Sequence, residues 1–182
     1  MKKIFLLALM PLMLVHCRST KVYIVRHAEK STMPAKDPDL TAEGRARAQS
    51  LAGYLGKKQI KAIYSTQTRR TQQTAEPLSL QTGVAVSPYT NDTLAKFLYR
   101  VLDAEKNTLI VGHSNTVLKM VQELSLNPSI KEIPDNDYDN LFIIVVKSKD
   151  GPGGYELKLK ERTYGKKSPN TKDTARQVNT MQ

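Results

Sequence analysis

The chain carries one cysteine, Cys17, in 182 residues. No internal disulfide can form, and a zinc site of the Cys-x-x-Cys kind is excluded. A long hydrophobic run is also missing. The apolar stretch at residues 4–15 is interrupted by Pro11 and falls short of the roughly 20 residues that a membrane-spanning helix needs. No internal repeat is present, which excludes a solenoid. Aromatic residues make up 6% of the chain and form no aromatic-rich basic groove. With no zinc-finger spacing either, nothing supports nucleic-acid binding. Acidic residues are few: 17 against 28 Lys and Arg, for a formal charge of +11. Part of that excess is local, since residues 158–176 hold seven basic residues against Glu161 and Asp173. A basic chain favours anionic partners such as phosphoesters or an anionic membrane surface, although most of these charges read equally well as solvated surface.

What is present fits one ordinary globular domain, with enough chain to bury a core. Met1-Lys2-Lys3 and the apolar stretch after it have the form of a secretory signal peptide. Leu14-Val15-His16-Cys17 resembles a bacterial lipoprotein signal, in which the cysteine becomes the lipidated first residue. The expected organisation is a signal at residues 1–17, a catalytic domain at 18–163 and a disordered basic tail at 164–182. The expected location is the bacterial cell envelope, with the chain lipid-anchored through Cys17 or periplasmic. His16 belongs to the signal.

The rest of the chain alternates between strand and helix patterns. A β-branched, aromatic run at residues 22–25 reads as a buried strand. Thr41 suits an N-cap, and Ala48, Leu51, Ala52 and Leu55 mark the buried face of the helix that follows, with Gly56 as its stop. Residues 61–64 form a second strand. Residues 69–81 form a helix stopped by Gly83, with Pro77 inside it as a possible kink. A third strand at 84–86 is closed by Pro88. Leu94, Phe97, Leu98, Val101 and Leu102 give a third amphipathic helix over 93–105. Residues 108–111 form a fourth strand, and a fourth helix shows Val117, Met120, Val121 and Leu124 on one face. Two strands at 141–147 and 155–160 flank a Gly-Pro-Gly-Gly turn. The fold class expected is α/β: a three-layer α/β/α sandwich with a mostly parallel central sheet and a C-terminal β-hairpin.

Two of these strands run straight into a histidine, giving Arg26-His27 and Gly112-His113. In a parallel sheet both ends face the same crevice. The segment after the second strand adds Arg70. Two guanidiniums converging on one crevice match a tetrahedral oxyanion. An imidazole between them is held neutral by the like charges and keeps a lone pair for attack on phosphorus. No carboxylate or cysteine cluster accompanies it, so no metal site is expected.

These residues carry a family resemblance. Arg26-His27-Ala28-Glu29 resembles the Arg-His-Gly-Glu signature of the histidine phosphatase superfamily, also called phosphoglycerate mutase-like. Leu40-Thr41-Ala42-Glu43-Gly44-Arg45-Ala46-Arg47-Ala48-Gln49 resembles its Leu-Thr-x-x-Gly-x-x-Gln-Ala region. The segment Tyr64-Ser65-Thr66-Gln67-Thr68-Arg69-Arg70-Thr71-Gln72-Gln73-Thr74-Ala75 resembles its Ser-x-x-x-x-Arg-Ala/Thr-x-Gln-Thr-Ala motif. The Gln73-Thr74-Ala75 end selects Arg70 over Arg69, which reads as a solvated charge at a helix start. Val111-Gly112-His113-Ser114-Asn115 resembles the second-histidine motif. The resemblance implies the phosphoglycerate mutase-like fold and a metal-independent phosphatase without cofactor. It makes His27 the nucleophile, and Arg26, Arg70 and His113 the ligands of the transferring phosphoryl group. Ser114 and Asn115 are either substrate contacts or simply the start of the fourth helix.

The expected substrate is a phosphorylated small molecule or a phosphoprotein. Many phosphatases of this family place a Glu or Asp after the third strand as general acid. In residues 87–93 Asp92 is the only carboxylate, and it suits an N-cap equally. The stretch between the third and fourth strands is too short for the large cap of the mutases, so the site should be open. That resembles the small phosphohistidine phosphatases, whose leaving imidazole needs less protonation than an alkoxide. The alternative is a non-catalytic phosphoanion-binding or envelope interaction module on the same fold.

Overall fold

The computed structural model describes residues 19–149 and 154–169. Residues 1–18, which include the expected signal with His16 and Cys17, and residues 150–153 and 170–182 lie outside the described residues. Ten elements follow in order: β1 (Ser19–Arg26), α1 (Ala42–Leu55), β2 (Ala62–Ser65), α2 (Arg69–Thr82), β3 (Val86–Pro88), α3 (Leu94–Asp103), β4 (Thr108–Gly112), α4 (Ser114–Glu123), β5 (Asn140–Ser148) and β6 (Tyr155–Thr163).

They build one six-stranded sheet in the order β3-β2-β4-β1-β5-β6. The pairs β2–β3, β2–β4 and β1–β4 are parallel. The pairs β1–β5 and β5–β6 are antiparallel. The parallel part therefore ends at β1, and the C-terminal hairpin closes the sheet beside it.

The continuous apolar run of β1 is explained by its central place, because both of its faces are covered. Val22 and Ile24 enter a cluster with Phe97, Leu98, Val117 and Val121 of α3 and α4. Tyr23 and Val25 enter the opposite cluster with Leu51, Leu55, Ala75 and Leu78 of α1 and α2. Period-two alternation along the strand thus divides the core into two layers.

Most predicted element positions hold, and two features differ. The third strand is displaced by two residues, because Val86 pairs with Ile63 and Pro88 with Ser65. Pro88 lies within it, which an edge strand tolerates since the missing N–H costs no ladder bond there. As expected, α2 continues through Pro77 to Thr82 and stops at Gly83, whose φ of 70° is left-handed. Finally, the stretch just after Thr163 is packed, against the expectation of disorder from residue 164. Tyr164 is 2% exposed and Ser168 5%. A single aromatic with no periodic apolar neighbours gives no pattern to read, yet it fills a site beside α1.

Candidate active site

β1 and β4 are adjacent and in register, with Arg26 opposite Gly112. The next residue of each strand is therefore a histidine on the same edge of the sheet. The His27 N–H donates to the Gly112 carbonyl at 2.9 Å, which fixes the two ends together. The imidazole centroids are 5.5 Å apart and the rings meet at 68°.

His27 is buried. Its Nδ1–H donates to the Ala28 carbonyl at 2.8 Å, which leaves Nε2 as the nitrogen with the lone pair. Burial lowers its pKa to about 3, against the bond to Ala28 and helped by the charges of Arg26, His113 and Arg70. His113 is brought to about 4, first by burial and then by Arg70 and Arg26. Both rings are uncharged at neutral pH.

Arg26 is also buried. Its Nη1 donates to the carbonyls of Pro134 at 2.6 Å and Asp137 at 3.0 Å, and Nη2 lies 3.6 Å from the exposed Asp135 carboxylate. Arg70 leaves the first turn of α2. Its Nη2 donates to His113 Nδ1 at 3.4 Å and its Nη1 lies 3.6 Å from Asp37. The Nε of each arginine is buried without a hydrogen-bond partner. A buried guanidinium donor is costly to leave unpaired, and the oxygens of a tetrahedral anion would satisfy both.

Arg26, His27, Arg70 and His113 are thus brought together. Arg69 is not among them: it is half-exposed and pairs with Asp39 at 2.9 Å. Ser114 and Asn115 open α4 beside His113, and their side chains make no hydrogen bond to any of the four. They line a groove of about 310 Å³ with Lys119, Lys131 and Ile133. Asp92 is exposed in the turn before α3, where Thr93 occupies the N-cap position. No hydrogen bond or ion pair joins Asp92 to either histidine.

Several residues of the site were not read from the sequence. Thr66 meets His113 Nε2 at 2.9 Å. With Nδ1 accepting from Arg70, the Nε2–H donates to this hydroxyl. Thr74 accepts from the Ala28 N–H at 2.9 Å and donates to the Arg70 carbonyl at 2.7 Å, tying the His27 loop to α2. Both threonines sit inside the motif around Arg70, so their positions were a usable signal. Asp37 accepts from the Arg69 N–H at 3.0 Å and so caps α2 from a distant loop. Tyr138 lies over Arg26, 4.3 Å from its guanidinium carbon, and nothing in the sequence marked it.

Comparison with known proteins follows the same lines. The model of the histidine phosphatase superfamily, branch 1, matches residues 22–99. No curated protein matches the sequence. Among solved structures, one described as mycobacterial hydrolase 2 superposes with a TM-score of 0.65 at 14% identity, over 86% of this chain and 94% of that one. A mycobacterial glucosyl-3-phosphoglycerate phosphatase does so with a TM-score of 0.60 at 15% identity, over 78% and 97%. The protein histidine phosphatase SixA complexed with tungstate gives 0.56 at 20% identity, over 76% and 94%. At such identities the likeness is one of fold. The matched residues 22–99 contain three of the four motifs, so this part of the chain is similar to the histidine phosphatase superfamily, and the shared fold is in keeping with that likeness.

Proposed function

We propose that the protein is a metal-independent phosphatase that works through a phosphohistidine on His27. The observation that carries this reading is an uncharged imidazole whose Nδ1–H is engaged by Ala28, set among Arg26, Arg70 and His113. Nε2 attacks phosphorus in line. The bond from Nε2 to phosphorus forms as the bond to the leaving group breaks, and the leaving group takes a proton from solvent, or from Asp92 for an alkyl ester; the attacking water later returns one. Water then attacks the phosphoimidazole, the N–P bond breaks, and orthophosphate and neutral His27 are released.

The chemistry of this step is mostly positioning and charge stabilisation. A guanidinium about 4 Å from one phosphoryl charge is worth roughly 4 kcal/mol gross at an effective dielectric of 20. That exceeds a surface ion pair, at about 0–1 kcal/mol, so Arg26 and Arg70 are the main electrostatic elements. Adding a dianion also reverses the pressure on the imidazoles and favours a protonated His113 as a further donor.

The substrate class proposed is a phosphohistidine protein or a phosphomonoester, in keeping with the two kinds of phosphatase whose folds the chain shares. The groove at Ser114 and Asn115 would receive the portion beyond the phosphoryl group. Asp92 is the proposed acid for alkyl esters. The test is turnover of p-nitrophenyl phosphate and of a phosphohistidine peptide by wild type and His27→Ala. Turnover by wild type with none by His27→Ala supports the reading, and equal rates would sink it. Orthovanadate binding by wild type without turnover would instead favour the non-catalytic anion-binding module. We also propose export with lipidation at Cys17, tested by palmitate labelling that Cys17→Ser should lose.

A further inference from the structure

Arg26 is held by a loop that has little regular structure of its own. Residues 124–139, between α4 and β5, contain no helix or strand. The loop nevertheless supplies both carbonyls that fix Nη1 and the Tyr138 ring that covers one guanidinium face. With Nη1 committed, Nε is left without a partner and Nη2 has only the exposed Asp135 carboxylate at 3.6 Å, so the Nε–Nη2 edge is the one that can turn to an oxyanion, the planar fork that suits one. The same ring centroid lies 6.1 Å from that of His27.

The loop is itself tied down from elsewhere. The Ser168 hydroxyl accepts from the Tyr138 N–H at 3.0 Å. The Ser168 N–H donates to the Asp139 carboxylate at 2.8 Å. The Tyr164 N–H donates to the Asp139 carbonyl at 3.0 Å. Tyr164 is anchored in turn, because its carbonyl accepts from Arg47 Nη1 at 3.0 Å.

We propose that residues 164–168 form a strap that sets Tyr138 against Arg26, and that Tyr138 is a positioning residue for the oxyanion through that arginine. The inference rests on the reading of Arg26 as a phosphoryl ligand. A flat ring at this distance attracts the cation and restricts its swing; one strap bond holds Tyr138 itself and two hold the adjacent Asp139.

Orthovanadate binding by calorimetry tests the strap without requiring turnover. Tyr138→Leu should weaken binding roughly tenfold, while Tyr138→Phe, which keeps the ring, stays within about twofold of wild type. Ser168→Ala should weaken it roughly threefold through loss of one hydrogen bond. Thermal midpoints of all three should stay near wild type. Binding by Tyr138→Leu equal to wild type would overturn the strap and leave the anion site standing. Tyr138→Phe as weak as Tyr138→Leu would overturn the role of the ring. A wild-type protein that binds no vanadate would overturn both the strap and the phosphoryl site on which it rests.

Discussion

Burial and neighbouring positive charge bring the pKa of His27 to about 3 and that of His113 to about 4. Both lie below the ordinary histidine value of about 6.5. Such groups contribute stability that is fully present above 6.5 and is lost as pH falls toward the folded-state values, because the unfolded chain binds protons first. Between pH 6 and 4.5 each histidine should therefore take up roughly one proton on unfolding. The slope of urea-unfolding free energy against pH measures this, and His27→Asn should lower it by about one proton. In the active enzyme, the same neutrality means that the acid limb of kcat/KM should begin well below 6.5. Arg70→Ala should cost about 10²–10³ in kcat/KM, the loss typical of one preorganised donor. Asp92→Asn should stay within about threefold for a phosphohistidine peptide, whose leaving imidazole needs little help. A loss confined to alkyl phosphates would identify Asp92 as the acid.

At the scale of elements, the motif glycines have steric reasons. A Cβ on Gly44 would lie 2.2 Å from the Glu29 carbonyl oxygen. The first turn of α1 thus packs directly on the backbone that follows His27, and Thr41 caps the helix by accepting from the Gly44 N–H at 3.0 Å. Gly44→Ala should destabilise by about 3 kcal/mol, since the obstacle is backbone and cannot rotate away. It should also lower kcat, because the loop carrying His27 must shift. Chemical denaturation and steady-state kinetics on one preparation check both. Thr41→Ala, which removes only the cap, should cost about 1 kcal/mol and leave kcat unchanged. The helices were legible because their apolar positions repeat at the helical period: every such position in α1, α3 and α4 is buried. β3 was not, because a three-residue edge strand takes its register from Ile63 and Ser65 of its neighbour, not from its own pattern.

At the scale of the molecule, one buried ion pair links the site to its support. Arg47 donates through Nε and Nη2 to Glu29 at 2.7–3.0 Å, and its remaining nitrogen reaches Tyr164. Glu29→Ala leaves Arg47 buried and unpaired. It should cost about 3–5 kcal/mol, several times a surface pair, measurable as a lowered urea midpoint. The pair brings together the chain after His27, helix α1 and the segment after β6.

That Arg26, His27, Arg70 and His113 meet was legible in the sequence, because parallel strands deliver their carboxyl ends to one crevice. Two strands that each run into histidine, with an arginine opening the helix between them, place these side chains together without coordinates. Hydrophobic periodicity likewise determined the layers, since an apolar stripe must be covered. Tertiary structure alone decided what holds Arg26. Its partners are carbonyls 108 and 111 residues away, and every residue carries a carbonyl, so no side-chain pattern announces them. Tertiary structure alone also recruited Tyr164 and Ser168, because a few backbone bonds and one buried ring suffice to dock a segment whose composition reads as tail.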